Sequence, residues 1–453
     1  MRLKAWRRAA VWTMLVLGWL GTVGPAGTRA DDTPHPLTLE EAVALARQHN
    51  PRMAAARHQL DADSARVTQA GSSMLPQVDL SETFGRTNSP LWAFGTRLNQ
   101  GAIQQADFAP ANLNSPDAIN NFRTALTLTW NLFDGGRSWI GWRQAQQNRQ
   151  AAELALRRTE QEVAAQAATA YAACLLAEEH RAVVRQALAT AQAHLKVVED
   201  RERSGLAVKS DVLRARVRIA DLEQQRLQAE SRERVALARL GAAMGRSDDL
   251  YGTVTLTSAP GPGAPLTADL THWTARALEQ RPDLQQIRLQ EEIARRQVAK
   301  ARAAHYPTLA LQGTYEINSD DFSDTQDSYA VGAVVQVNLF SGRRISARTA
   351  EARSLLAKIA AMREELMAGV RVDTQQAYYE ALSAWQSIEV ARTAVAEAEE
   401  GLRIVANRYE SGLLALVSLL DAQVAVQQAQ TQHHRALHDY SVARTMLALA
   451  VGE

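Results

Sequence analysis

The 453-residue sequence predicts a mainly α chain with a small β part, in which one unit of a long coiled-coil helical hairpin and a β-hairpin pair is duplicated, giving four strands per chain. Three observations predict it. WNLFDGGR at 130–137 returns as VNLFSGRR at 337–344, an offset of 207 residues. The stretches 138–203 and 343–410 hold no proline and are filled with strong helix formers. Four further segments alternate apolar and polar residues with period two.

The first thirty residues stand apart. Arg2, Lys4, Arg7 and Arg8 make a basic start, Ala9 to Leu20 an apolar run, and Thr28-Arg29-Ala30 a small-residue cleavage site, so 1–30 is expected to be a secretory signal. The mature chain is expected to hold no transmembrane helix, since none of its continuous apolar runs approaches the roughly 20 residues that a span needs. Cys174 is the single cysteine, which excludes an internal disulfide, and its place in a helical pattern suits a buried, inert thiol. A formal net charge of +1 argues against nucleic acid as a partner.

The first repeat is read as 31–246, with a helical opening at about 38–73, strands at about 77–86 and 122–133, and a hairpin at about 138–246 turning near 205. A linker at 247–265 leads to the second repeat, 266–453, with its helical opening at about 267–304, strands at about 308–317 and 328–340, and a hairpin at about 343–450 turning near 412. Val184, Leu188, Ala191, Leu195 and Val198 are spaced 4, 3, 4 and 3, and adding 207 gives Ala391, Val395, Ala398, Leu402 and Val405. That is the seam of a coiled coil. Each long helix would measure on the order of 100 Å.

Along the strands, Leu126, Leu128, Trp130 and Leu132 project to one side and Thr127, Thr129 and Asn131 to the other; Val78, Leu80 and Phe84 oppose Asp79, Ser81 and Thr83. In the second repeat, Leu309, Leu311 and Tyr315 oppose Gln312 and Thr314. Strands of about ten residues with one apolar and one polar face suit an outer-membrane barrel. Glu82 interrupts the apolar face. Six tryptophans follow the signal, four of them (Trp92, Trp130, Trp139, Trp142) around the first strand pair, as an interfacial girdle would require. Four strands cannot close in hydrocarbon, and eight would be filled by side chains, so a pore needs at least three copies. Between the strands, 87–121 reads as a long loop and 318–327 as a short acidic one.

At the level of motifs the chain resembles the TolC-type outer-membrane efflux channels. The resemblance rests on the paired Asn-Leu-Phe-x-Gly strand ends at 131–135 and 338–342, the Leu75-Pro76 and Tyr306-Pro307 strand starts, and the two hairpin tips around Ser204-Gly205-Leu206 and Ser411-Gly412-Leu413. It implies a homotrimer, a twelve-stranded barrel continuing into a periplasmic helical tunnel, and passive export driven by an inner-membrane pump through a periplasmic adaptor. It implies no cofactor. The tip residues Ser204, Gly205, Leu206, Ser411, Gly412 and Leu413 would meet the adaptor. Asp211, Tyr409, Ser418 and Asp421 fall at the periplasmic gate, with a Tyr409–Asp211 hydrogen bond tying adjacent hairpins. Ser418 stands where the family has a second aspartate and Leu414 where it has an arginine, so the constriction is expected to be less acidic.

Two other classes compete. His433, His434 and His438 give a helical i, i+4 pair that could bind a metal, but no HExxH glutamate accompanies them and a polar helix face explains them more simply. A periplasmic coiled-coil tether would explain the hairpins without explaining the strands.

Overall fold

A computed structural model describes residues 35–246, 250–257 and 263–453; the expected signal at 1–30 and part of the 247–265 linker lie outside them. The chain opens with a short strand, β1 (His35–Leu37), and two helices, α1 (Leu39–His49) and α2 (Pro51–Ser72). Proline divides the two: Pro51 lacks the N–H that a continuous helix would use, and sits instead at the first position of α2. Asn50 between them is extended and its side chain accepts from Arg52 N at 2.9 Å. Then come β2 (Gln77–Thr87), α3 (Pro90–Asn99), α4 (Pro110–Asn114), β3 (Ile119–Phe133) and the first long hairpin, α5 (Arg137–Arg203) with α6 (Lys209–Met244).

After β4 (Val254–Leu256) the pattern repeats as α7 (Leu270–Gln280), α8 (Pro282–Arg302), β5 (Thr308–Ser319), β6 (Gln326–Gln336), α9 (Arg344–Glu410) and α10 (Leu416–Val451). Pro282 divides α7 from α8 as Pro51 divides α1 from α2. Both long helices have 67 residues and both returning helices 36. The two long hairpins are therefore equal in length.

β2, β3, β5 and β6 form one antiparallel sheet in that order. Its register puts Val78, Leu80 and Phe84 beside Leu128, Leu126 and Phe122, and continues that face through Leu311 and Tyr315 to Ala333 and Tyr329. This apolar face is solvent-exposed in the protomer, Leu80 at 74% and Val331 at 73%. Asp79, Thr127, Thr314 and Ala330 line the opposite face, where Arg123 pairs with Glu316. Glu82 is satisfied on the apolar face by Thr124, its cross-strand partner, whose hydroxyl donates to the carboxylate. Among the described residues neither outer edge, β2 or β6, has a neighbour. β6 ends at Gln336, short of the expected 340, because its partner β5 begins only at Thr308, opposite Gln336; beyond it Leu339 and Phe340 stand 93% and 86% exposed.

The expected 87–121 loop is not irregular. Proline at the first position starts α3 and α4, and a 3-10 turn (Gln105–Phe108) lies between them. A second departure is the parallel pairing of β1 with β4, which draws the linker back onto the start of the chain.

The core is a string of small clusters along the hairpins. Tyr171, Leu237, Leu240 and Met244 gather where α1 meets α5 and α6, and Leu284, Val370, Leu447 and Val451 where α7 and α8 meet α9 and α10. In the seam, Val184, Ala191 and Val198 are buried and Leu188 and Leu195 half-buried. No helix among the described residues is long and apolar enough to cross a membrane.

Candidate functional site at the helical tips

Each long helix stops at a serine and a glycine. Gly205 takes φ +74° and Gly412 φ +76°, the left-handed region that a β-carbon disfavours. The turns close identically: Leu206 N donates to Arg201 O at 2.8 Å and Gly205 N to Glu202 O at 3.0 Å, while Leu413 N donates to Arg408 O at 2.9 Å and Gly412 N to Tyr409 O at 3.0 Å. Ser204 Oγ donates to Asp200 O at 2.9 Å and Ser411 Oγ to Asn407 O at 2.8 Å. A Cβ on either glycine would meet nothing within 4 Å, so the backbone and not packing demands glycine here. Leu206 and Leu413 follow, 78% and 74% exposed. Two apolar side chains are thus held out at the end of the molecule.

The tips are packed together. Val198, Val212 and Ala215 of the first hairpin share a buried cluster with Tyr409, Leu416 and Leu419 of the second. Arg201 binds across the gap, donating from Nη1 to Tyr409 O at 3.0 Å and from Nη2 to Glu410 O at 2.6 Å, with its guanidinium 4.8 Å over the Tyr409 ring. A cation on the free carbonyls at a helix C-terminus is stabilising, and the ring face adds to it. Farther along, Arg218 donates to Gln427 Oε1 at 2.6 Å and Gln427 to Gln225 Oε1 at 2.8 Å, joining α6 to α10.

The sequence-selected gate residues fall in two groups. Tyr409 is buried in the shared cluster. Asp211 lies half-buried in the first turn of α6, where its charge suits the helix N-terminus, while Val208 holds the N-cap without a side-chain bond. Ser418 occupies the position of Asp211 in the second repeat, 207 residues on, and Asp421 follows it on the same helix, exposed. Within the protomer no hydrogen bond joins Tyr409 to Asp211; the tyrosine is held through its backbone and ring by Arg201. Sequence reasoning missed Arg201, although its recurrence as Arg408 at the same offset was a usable signal.

Elsewhere the chemistry is quiet. Burial pushes the Cys174 thiol up to about 12, which keeps it protonated and unreactive. His434 Nδ1 lies 3.7 Å from Glu179 and His438 Nδ1 2.9 Å from Asp439. Burial lowers the pKa of His433, aided by His434 and Arg392. Among the described residues no group of three or more His, Cys, Asp or Glu side chains could hold a metal.

Residues 42–246 and 273–453 match the family model described as outer membrane efflux protein. The chain is 27% identical over 438 residues to protein CyaE of Bordetella pertussis, covering 95% of this chain and 86% of that one. It is 24% identical over 427 residues to outer membrane protein TolC of Vibrio cholerae, covering 91% and 90%. The crystal structure of the outer membrane protein VceC from Vibrio cholerae superposes with a TM-score of 0.74 at 19% identity, over 91% of this chain and 96% of that one.

Proposed function

Because the chain belongs to the outer membrane efflux protein family, we propose that it acts as a passive exit duct in which three copies pool their strands into one twelve-stranded barrel. It is an outer-membrane channel of an efflux or secretion system, with a long periplasmic helical portion, and its family is one of channels and not of enzymes. The observation that carries the finer reading is the open sheet. Its two unpaired edges cannot face hydrocarbon, where a backbone amide without a partner costs several kcal/mol. Its exposed apolar face suits lipid and its polar face suits water. Joining β6 of one copy to β2 of the next removes every edge, and three copies are the fewest that leave an aqueous lumen.

In this reading α5, α6, α9 and α10 continue the barrel into the periplasm as a tunnel wall. The exposed Leu206 and Leu413, presented on the turns of Ser204-Gly205 and Ser411-Gly412, are the surface offered to a periplasmic adaptor, which links the duct to an inner-membrane pump. The periplasmic gate is assigned to the same end: Asp211, Ser418 and Asp421 on the returning helices, with Tyr409 fixing how the tips pack.

Reconstitution of the detergent-extracted protein into a planar bilayer tests the reading. It predicts discrete conductance steps, and a raised closed-state conductance for Asp211→Ala and for Tyr409→Ala, which removes the ring that packs between the tips. A protein released from membranes by salt alone and without conductance is a coiled-coil tether instead.

A further inference from the structure

We propose that the β2–β3 loop is a strap across the outer mouth of the channel, and that the apolar stripe of α3 docks against its counterparts in two further copies of this chain. The proposal rests on the trimeric reading given above. The loop leaves β2 at Thr87 and enters β3 at Ile119, at the end of the sheet away from the hairpins. It is a folded unit in its own right. Arg97 Nη1 donates to Asp107 Oδ1 at 2.7 Å, and the Phe94 and Phe108 rings meet edge-on at 5.7 Å.

The loop has a direction. Gln100 Nε2 donates to Asn120 O at 2.7 Å and to Asn121 Oδ1 at 3.0 Å, and Asn121 in turn donates to Asn318 Oδ1 at 2.9 Å. Gly101 approaches Gln326 so closely that a Cβ would stand 3.3 Å from its Oε1. Asn121, Asn318 and Gln326 all lie on the polar face of the sheet. The strap therefore runs inward from the β2 edge to the β6 edge, on the side where a closed cylinder holds water. The β5–β6 turn goes the other way: Phe322 lies 4.1 Å from Phe122, which lies 4.8 Å from Phe84, along the apolar face.

α3 turns Ala93 inward at 1% exposure and presents Leu91, Trp92 and Leu98 outward at 78%, 69% and 52%. Leu91 and Leu98 are two turns apart and share one stripe, and Trp92, about 100° round the helix from Leu91, forms its border. Such a stripe on the water side has no lipid to enter, and leaving it exposed is unfavourable. Three copies arranged about one axis bring three stripes together, and their mutual burial closes the mouth.

The test uses the full-length protein extracted in detergent. Cys174 is 1% exposed, so Trp92→Cys introduces the one accessible thiol. In a three-chain particle a short bis-maleimide is expected to shift Trp92→Cys to a linked pair on a denaturing gel, while Val331→Cys on the lipid face stays single. Trp92→Asp is expected to raise single-channel conductance. A three-chain particle in which Trp92→Cys stays single, or whose conductance is unchanged by Trp92→Asp, overturns the strap and leaves the trimer standing. A one-chain particle overturns both.

Discussion

At the residue scale, glycines with the same φ carry different obligations. Gly135 (φ +72°) ends the repeated Asn-Leu-Phe-x-Gly motif, and a Cβ there would stand 2.7 Å from Ala303 O. Gly205 has open space around it. Gly205→Ala should therefore cost about 1 kcal/mol of left-handed strain, and Gly135→Ala more, read as the loss of thermal stability in detergent. Both glycines were legible in the sequence because the motif repeats. What the repeat conceals is chemistry that differs between halves. Glu233, 8% exposed, lies 3.1 Å from Arg181, whereas their counterparts Tyr440 and Ile388 pack in an apolar cluster with Trp385. Burial raises the Glu233 pKa above its ordinary 4.5, with Arg181 opposing in part. A raised carboxyl favours the folded state fully below the unfolded value and loses that contribution as pH rises through the folded one. Glu233→Gln is expected to raise the unfolding midpoint at neutral pH, the gain closing below pH 4.5.

At the element scale, the long hairpins were legible because a 3.5-residue period over many turns leaves one packing solution. The helical openings were legible as helix, and Pro51 and Pro282 divide each of them in two. Helices α3 and α4 were hidden because they are short and lie in a stretch rich in turn formers; tertiary ties such as Arg97 to Asp107 hold it. Arg201 was missed for another reason: its recurrence as Arg408 marks the position, but carbonyl partners about two hundred residues away leave no local pattern that shows its role. Its two bonds and ring contact join the hairpins at the tips, so Arg201→Ala should loosen them. Faster hydrogen exchange at the end of α9 and a higher closed-state conductance are the expected readouts; unchanged exchange there would mean that the apolar cluster alone holds the tips.

At the scale of the whole molecule, the proposed assembly makes a single chain one part of a larger barrel. Among the described residues its sheet is open at β2 and β6, its apolar face is exposed, and Leu339 and Phe340 extend past the last paired residue. Alternation in the sequence disclosed the two faces of the sheet, and the count of four strands is what motivates the proposed pooling of copies. The direction of the β2–β3 loop was not readable, because only the register places Asn121, Asn318 and Gln326 on one side. The mass of the detergent-solubilised particle, measured by light scattering with the detergent contribution removed, tests the assembly most directly. Three chains per particle is the predicted result; one or two would contradict the pooled barrel.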